Sequence, residues 1–168
     1  LWLAAHLVGR EPIRYVDDFV KSGADLITVH YEACVNVMQT ILAVREAGVK
    51  VGLSIRPETP VSVLRPFLDK VDLILIMSVD PGFGGQKLME GTYDKLRELR
   101  AMMADTLGAA AGEGVPRVEV DGGINLDNVA DILAAGADTI VAGSAVFRGD
   151  IADNTKKFLE ILARDAAE

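Results

Sequence analysis

The sequence predicts an α/β fold built around a parallel sheet, and three observations carry this prediction. Short apolar runs of strand length alternate with longer segments of helical periodicity, which is the pattern of repeated βα units. Most of the strand runs are apolar nearly throughout, as expected for strands covered on both faces. Glycine turns such as Ser22-Gly23-Ala24-Asp25 and Ala135-Gly136-Ala137-Asp138 each end a helical pattern and open the next strand.

Six βα units follow one another along the chain. Strands are predicted at Leu3–Val8, Leu26–His30, Lys50–Ile55, Leu73–Val79, Arg117–Asp121 and Thr139–Ala142. Helices are predicted at Pro12–Ser22, Asn36–Ala47, Val61–Leu68, Thr92–Thr106, Leu126–Ala135 and Ile151–Ala166. The Gly- and Ala-rich stretch from Gly108 to Gly114 is expected to be a surface loop, because the same rhythm continues beyond it. We therefore expect one domain over residues 1–168.

Parallel strands joined by single helices build two common architectures. One is an open, doubly wound sheet, and the other is a closed (β/α)8 barrel, which normally has eight units and about 250 residues. Six units fall short of a barrel, so the periodicity by itself leaves both architectures open.

Composition narrows the function classes. The net charge of −8 argues against nucleic-acid and anionic-membrane partners, and no apolar run approaches the length of a membrane span. Cys34 is the only cysteine, which excludes an internal disulfide and suits a reducing cytoplasm. The chain opens on an apolar run with neither an initiator Met nor the features of a signal peptide. We therefore expect the protein's true start to lie upstream.

Three glycine-containing loops follow predicted strands, where both architectures gather their reactive residues. They are Met77 to Gln86, Glu119 to Asn125 and Val141 to Ala145. Glycines let backbone N–H groups converge on an anion, and the loops after the last two strands of a barrel form a recurring phosphate site. Any one loop could be a plain turn, but the three in this order predict phosphate binding.

Two histidines, His6 and His30, also lie at strand ends, as does Asp121. A lone His on an apolar strand is more often a hydrogen-bonded structural residue than a metal ligand. Local spacing alone therefore does not establish a metal site.

Taken together, these segments resemble the ribulose-phosphate 3-epimerase family. The matching stretches are Met77 to Gln86, Val118 to Gly123, and Ala135 to Phe147, preceded by His6-Leu7 and Thr28-Val29-His30. The resemblance implies a (β/α)8 TIM barrel of the ribulose-phosphate-binding type, of which this chain carries the last six units.

The resemblance also implies a reaction and a cofactor. The family interconverts D-ribulose 5-phosphate and D-xylulose 5-phosphate in the pentose phosphate pathway, by removing and returning the C3 proton through an enediolate. One divalent ion (Zn, Fe, Mn or Co), held by two His and two Asp, stabilises the enediolate. Family members are often oligomeric, so a homo-oligomer is a further expectation.

Carried over residue by residue, the resemblance makes His6 and Asp121 metal ligands and Asp121 the acid or base. His6 also touches substrate, and His30 has no catalytic role. The remaining positions expected to bind sugar or phosphate are Met77, Gly82, Phe83, Gly84, Gly85, Gly122, Gly123, Gly143 and Ser144.

The chain departs from the family at its start and in two loop residues. The two preceding strands, which supply a Ser, the second His ligand and the other Asp, are absent, so weak metal binding and low turnover are expected. Val8 replaces the usual Met, and Asp80 replaces Asn or Glu. Two alternatives stay open: a truncated, non-catalytic phosphosugar-binding module, and an allulose 6-phosphate 3-epimerase.

Overall fold

The computed structural model describes residues 2–82, 85–108 and 114–165, in which six parallel strands form one sheet. The strands are β1 (Ala4–Leu7), β2 (Leu26–His30), β3 (Lys50–Ile55), β4 (Leu73–Met77), β5 (Arg117–Asp121) and β6 (Thr139–Val141). All six predicted strands are confirmed. β2, β3 and β5 match residue for residue, and the other three are slightly shorter than predicted.

The strand order distinguishes the two architectures. Each strand pairs with the next one along the chain, in the order β1-β2-β3-β4-β5-β6. A doubly wound sheet reverses its order at a switch point, whereas a (β/α)8 barrel keeps its strands sequential. The described sheet is therefore six consecutive units of a barrel, and the open doubly wound alternative is wrong.

Helices connect the strands and cover one face of the sheet. They are α1 (Val16–Lys21), α2 (Val37–Glu46), α3 (Gly91–Leu107), α4 (Val129–Ala134), α5 (Ser144–Phe147) and α6 (Ile151–Asp165). Two 3-10 helices, Pro12–Tyr15 and Tyr31–Ala33, precede α1 and α2. Ala166 and most of the predicted loop between Gly108 and Gly114 lie outside the described residues.

Two helix predictions are corrected by local chemistry. Val61–Phe67 is a 3-10 helix rather than part of an α-helix, and Pro66 within it has no N–H for an α-helical bond and would crowd the preceding turn. α4 begins at Val129 rather than Leu126 because the Asn125 side chain accepts hydrogen bonds from the backbone N–H groups of Asp127 and Asn128. Such a turn competes with helix formation at those residues.

Side chains alternate between the two faces of the sheet, and this alternation determines which residues face away from the helices. Ile74 and Ile76 of β4 belong to the large apolar cluster that includes the helices. Leu73, Leu75 and Met77 point the other way and form a smaller cluster with Leu26. Met77 pairs in register with Asp121 of β5, so both stand at the carboxyl end of the face opposite the helices.

The outermost strands of the described sheet, β1 and β6, each have one neighbour. Trp2, Leu3 and Val8 flank or precede β1 with large exposed fractions, and Val141 of β6 is also exposed. Open edges of this kind invite pairing with further strands. None of the helices in the described ranges has both the length and the apolar character needed to cross a bilayer.

Candidate active site

A cavity of about 570 Å³ opens at the carboxyl ends of the strands. It brings together the first strand, the loop after β4, the loop after β5 and the turn after β6. Nine residues that the sequence singled out line it: His6, Met77, Gly82, Gly85, Asp121, Gly122, Gly123, Gly143 and Ser144. Phe83 and Gly84 lie outside the described residues. The catalytic, metal-binding and substrate-binding roles of the nine lining residues stay predictions.

The loops after β4 and β5 are bound tightly to each other, and two glycines allow this approach. A Cβ on Gly122 would lie 2.4 Å from Cγ2 of Val79, and a Cβ on Gly123 would lie 2.3 Å from the backbone N of Leu88. Ser78 completes the junction, since its hydroxyl donates to the backbone oxygen of Asp121 at 2.8 Å. Ser78 was not predicted as a site residue, although it lies within one of the glycine loops.

The glycine end of the cavity continues into a neighbouring cavity of about 320 Å³, lined in part by Gly85, Gly123 and Ser144. Arg148 also lines this space, and its Nη2 lies 3.8 Å from the position that a Cβ on Gly85 would take. A guanidinium therefore stands beside the glycine turns, which suits an anion. Arg148 was not predicted from the sequence; its position shortly after the third glycine loop was the signal that could have identified it.

Asp121 and His6 line the same cavity of about 570 Å³. Burial raises the pKa of the Asp121 carboxyl above its ordinary value, and a positive charge on His30 would oppose this rise. Burial also lowers the pKa of His6 to about 4, aided by repulsion from a charged His30. His6 is therefore neutral near pH 7, the form of imidazole that can bind a metal or accept a hydrogen bond.

His30, which the family resemblance left without a catalytic role, lies directly against His6. Their Nε2 atoms are 2.8 Å apart, and the ring planes are inclined by 24°. His30 is only 2% exposed and lines a separate small cavity with Glu32. The structure thus adds a buried imidazole behind His6. The sequence places the two histidines at the ends of different strands and does not reveal that they are in contact.

Glu119 is a second carboxyl on the same strand and face as Asp121. Burial raises its pKa to about 6, and the charges of Asp121 and Asp138 contribute to the rise. One face of β5 therefore carries two carboxyls whose pKa values are raised by burial. Glu119 belongs to the predicted glycine-containing segment Glu119 to Asn125, but no role was predicted for it.

His6 and Asp121 fit one part of a divalent-metal site, because a neutral imidazole and a carboxylate are both suitable ligands and both line the cavity. Within the ranges that the structure describes, however, no three His, Cys, Asp or Glu residues cluster so as to hold an ion. The described part of the chain thus offers two ligands of the four that the resemblance implies.

The sequential parallel strands, with glycine turns and polar groups at their carboxyl ends, define the chain as a partial (β/α)8 barrel. Solved structures support this fold. 3-Hexulose-6-phosphate synthase from Salmonella typhimurium matches with a TM-score of 0.68 at 19% identity, over 98% of this chain and 74% of that one. KGPDC from Streptococcus mutans matches with a TM-score of 0.68 at 16% identity, over 97% and 72%.

Sequence comparison identifies the family within this fold. The model of the ribulose-phosphate 3 epimerase family matches residues 1–147, and the chain belongs to that family. Ribulose-phosphate 3-epimerase from Serratia marcescens is 49% identical over 142 residues, covering 84% of this chain and 65% of the relative. The Bacillus subtilis enzyme of that name is 42% identical over 145 residues, covering 86% and 64%. The chain thus spans just under two thirds of the length of these relatives.

Proposed function

We propose that the protein is a ribulose-phosphate 3-epimerase that interconverts D-ribulose 5-phosphate and D-xylulose 5-phosphate. The observation that carries the proposal is that one cavity is lined both by the glycine turns and by His6 and Asp121. A sugar phosphate has the matching polarity, with an anionic group at one end and a ketone at the other.

The phosphate end rests on the glycine turns at Gly82 and Gly85, Gly122 and Gly123, and Gly143 with Ser144. Small residues leave backbone N–H groups open to an anion, and Arg148 adds a positive charge beside Gly85. Met77, Val79 and Ile124 supply apolar walls of the same cavity. These walls limit water around the sugar carbons, which strengthens electrostatic interactions in the site.

Asp121 is the acid or base for the C3 proton. Its pKa, raised by burial, makes it a stronger base than an exposed carboxylate. A divalent ion held in part by His6 and Asp121 would act as a Lewis acid, neutralising the negative charge that develops when the proton leaves. Zn, Fe, Mn and Co all accept this pair of ligand types.

The reaction places the protein in the pentose phosphate pathway, and the lone Cys34 supports a reducing cytoplasmic location. Cys34 is half-buried, and its thiol donates to the backbone oxygen of His30 at 3.3 Å. Burial raises the pKa of this thiol, so it acts as a structural residue rather than a nucleophile.

Deuterium exchange tests the proposal. Incorporation of deuterium at C3 of D-ribulose 5-phosphate in D2O, followed by NMR with added divalent metal, measures proton exchange directly. Asp121→Asn should reduce the exchange rate by about 10²–10⁴-fold, because Asn cannot accept the proton. Asp94→Asn makes the same chemical change at an exposed position of α3 and should leave the rate unchanged. Exchange at the wild-type rate in Asp121→Asn would remove Asp121 from the mechanism.

The described residues offer two metal ligands, and this observation favours a second candidate for the 168-residue chain by itself: a non-catalytic phosphosugar-binding module. Calorimetry with D-ribulose 5-phosphate and the exchange assay separate the two functions. Sugar-phosphate binding without exchange supports the module, and clear exchange excludes it. Comparing turnover of D-ribulose 5-phosphate with that of allulose 6-phosphate then decides between the two epimerase activities.

A further inference from the structure

The contact between His6 and His30 constrains the proton positions of both rings. Their Nε2 atoms are 2.8 Å apart, which is hydrogen-bond distance. In a neutral imidazole one ring nitrogen carries a proton and the other has a free lone pair. One Nε2 must therefore donate and the other must accept, and the choice decides which nitrogen of His6 is left with a lone pair.

The other nitrogen of His30 indicates which choice is made. Nδ1 of His30 is buried, has no hydrogen-bond partner among the described residues, and lies 3.7 Å from Oε2 of Glu32. A lone pair facing a carboxylate at this distance would be repelled, whereas an N–H would be attracted. Oε2 of Glu32 therefore favours the proton on Nδ1 of His30.

The surroundings of Glu32 keep its carboxyl ionised. Burial alone would raise the pKa of its carboxyl, but the neighbouring His30 ring and hydrogen bonds from the backbone N–H of Arg56 and the hydroxyl of Thr59 lower the pKa to about 2. Oε1 accepts from Arg56 N at 2.9 Å and from the Thr59 hydroxyl. Oε2 is thus the carboxylate oxygen on the side of His30.

We propose that Glu32 and His30 are positioning residues that fix His6 as its Nε2–H tautomer, so that His6 presents the Nδ1 lone pair to the active-site cavity. The Nδ1–H of His30 is attracted to Oε2 of Glu32, 3.7 Å away, and His30 Nε2 is left as an acceptor. His6 must then donate through Nε2. The order of interactions is therefore fixed: Glu32 orients the Nδ1–H of His30, and His6 donates through Nε2 to His30. Because His6 lines the main cavity and His30 does not, this order determines which His6 nitrogen is available in the cavity.

This inference deepens the proposed function, on which its meaning rests: a fixed lone pair is what a cation bound by His6 would need. Partners behind a ligating His commonly fix its tautomer and orientation, and their loss typically weakens metal binding by about 10–100-fold. The unusual feature is that a second imidazole, rather than a carboxylate, contacts His6 directly.

Histidine-labelled NMR at pH 8, where unperturbed imidazole is neutral, reads the tautomers without any metal or substrate. Two-bond ¹H–¹⁵N correlations on the 168-residue chain should show His6 protonated at Nε2 and His30 protonated at Nδ1. His6→Gln and His30→Gln spectra assign the two rings. A His6 proton on Nδ1, with His30 protonated at Nε2 or at both nitrogens, would overturn the proposal.

Glu32→Gln should reverse the direction of the hydrogen bond between His6 and His30. Its carbonyl must stay with the Arg56 N–H, so its NH2 faces Nδ1 of His30 and donates to it. His30 then donates through Nε2, and His6 carries its proton on Nδ1. Glu58→Gln is the matched control, because Glu58 is exposed, lies 4.0 Å from Arg56 Nη1 and loses the same charge. Unchanged tautomers in a folded Glu32→Gln variant would contradict the proposal that Glu32 determines them. If that variant does not fold, the wild-type spectrum still decides.

Zn²⁺ titration then separates this inference from the proposed function. Zn²⁺ should shift the His6 Nδ1 resonance, and its affinity should fall about 10–100-fold in Glu32→Gln. A shift at Nε2 instead would refute the inference. A further outcome is that the expected tautomers are observed while neither Zn²⁺ nor sugar phosphate changes the spectrum. That result would support the proposed tautomers and would count against the metal site of the proposed function.

Discussion

Gly123→Ala should destabilise the protein by more than its backbone conformation alone accounts for. Gly123 has φ +67°, and an L residue in the left-handed region costs about 1–2 kcal/mol. The added Cβ would also lie 2.3 Å from Leu88 N and 2.9 Å from Gln86 O, which are backbone atoms that cannot rotate away. Overpacking of this kind costs about 1–3 kcal/mol more. The free energy of unfolding should therefore fall by about 2–5 kcal/mol.

Urea unfolding followed by circular dichroism measures this difference. With a slope of about 2 kcal/mol per M, the midpoint should fall by about 1–2.5 M. Two matched variants separate the contributions. Gly48→Ala has a similar φ, +78°, but open space, so it should lose only about 1–2 kcal/mol. Gly9→Ala has neither feature and should change stability by less than about 0.5 kcal/mol. Equal losses for Gly123→Ala and Gly48→Ala would refute the close loop contact.

Three further predictions concern charged groups. The folded pKa of Glu119, about 6, exceeds its ordinary 4.5, so its stabilising contribution is present below pH 4.5 and is lost as pH rises through 6. Glu119→Gln should thus raise the urea midpoint at pH 7.5 but not at pH 4, and an equal gain at both would be contrary evidence. Burial alone would raise the pKa of Asp138, but hydrogen bonds from Arg117, Arg100 and Thr139 lower it below 3.8. Its contribution is present above pH 3.8 and is lost as pH falls through the folded pKa, so the midpoint deficit of Asp138→Asn at pH 7 should shrink toward pH 2. Arg148→Ala should weaken binding of inorganic phosphate, measured by calorimetry, by about 2–5-fold, as expected for an exposed charge pair, whereas Arg97→Ala on α3 should not.

The short apolar runs in the sequence were sufficient to locate the strands, because each strand buries apolar residues over a few consecutive positions. β2, β3 and β5 have the predicted ends, where a turn residue or a charge interrupts the run. The segment at Val61 was harder, since its apolar spacing is helical while Pro66 is incompatible with a regular α-helix. The start of α4 was also missed, because the Asn125 side chain competes for the backbone there.

Sequence by itself determined the alternation of strands and helices and, through the resemblance, the glycine loops, His6 and Asp121 as candidate site residues. Only the tertiary structure decided that the strands run in sequential order, that the candidate residues in the described part share one cavity, and that His30 and Glu32 lie behind His6. The physical reason is that periodicity reports which face of an element is buried. Which side chains meet across strands depends on register and on the curvature of the whole sheet, and those arise from long-range packing.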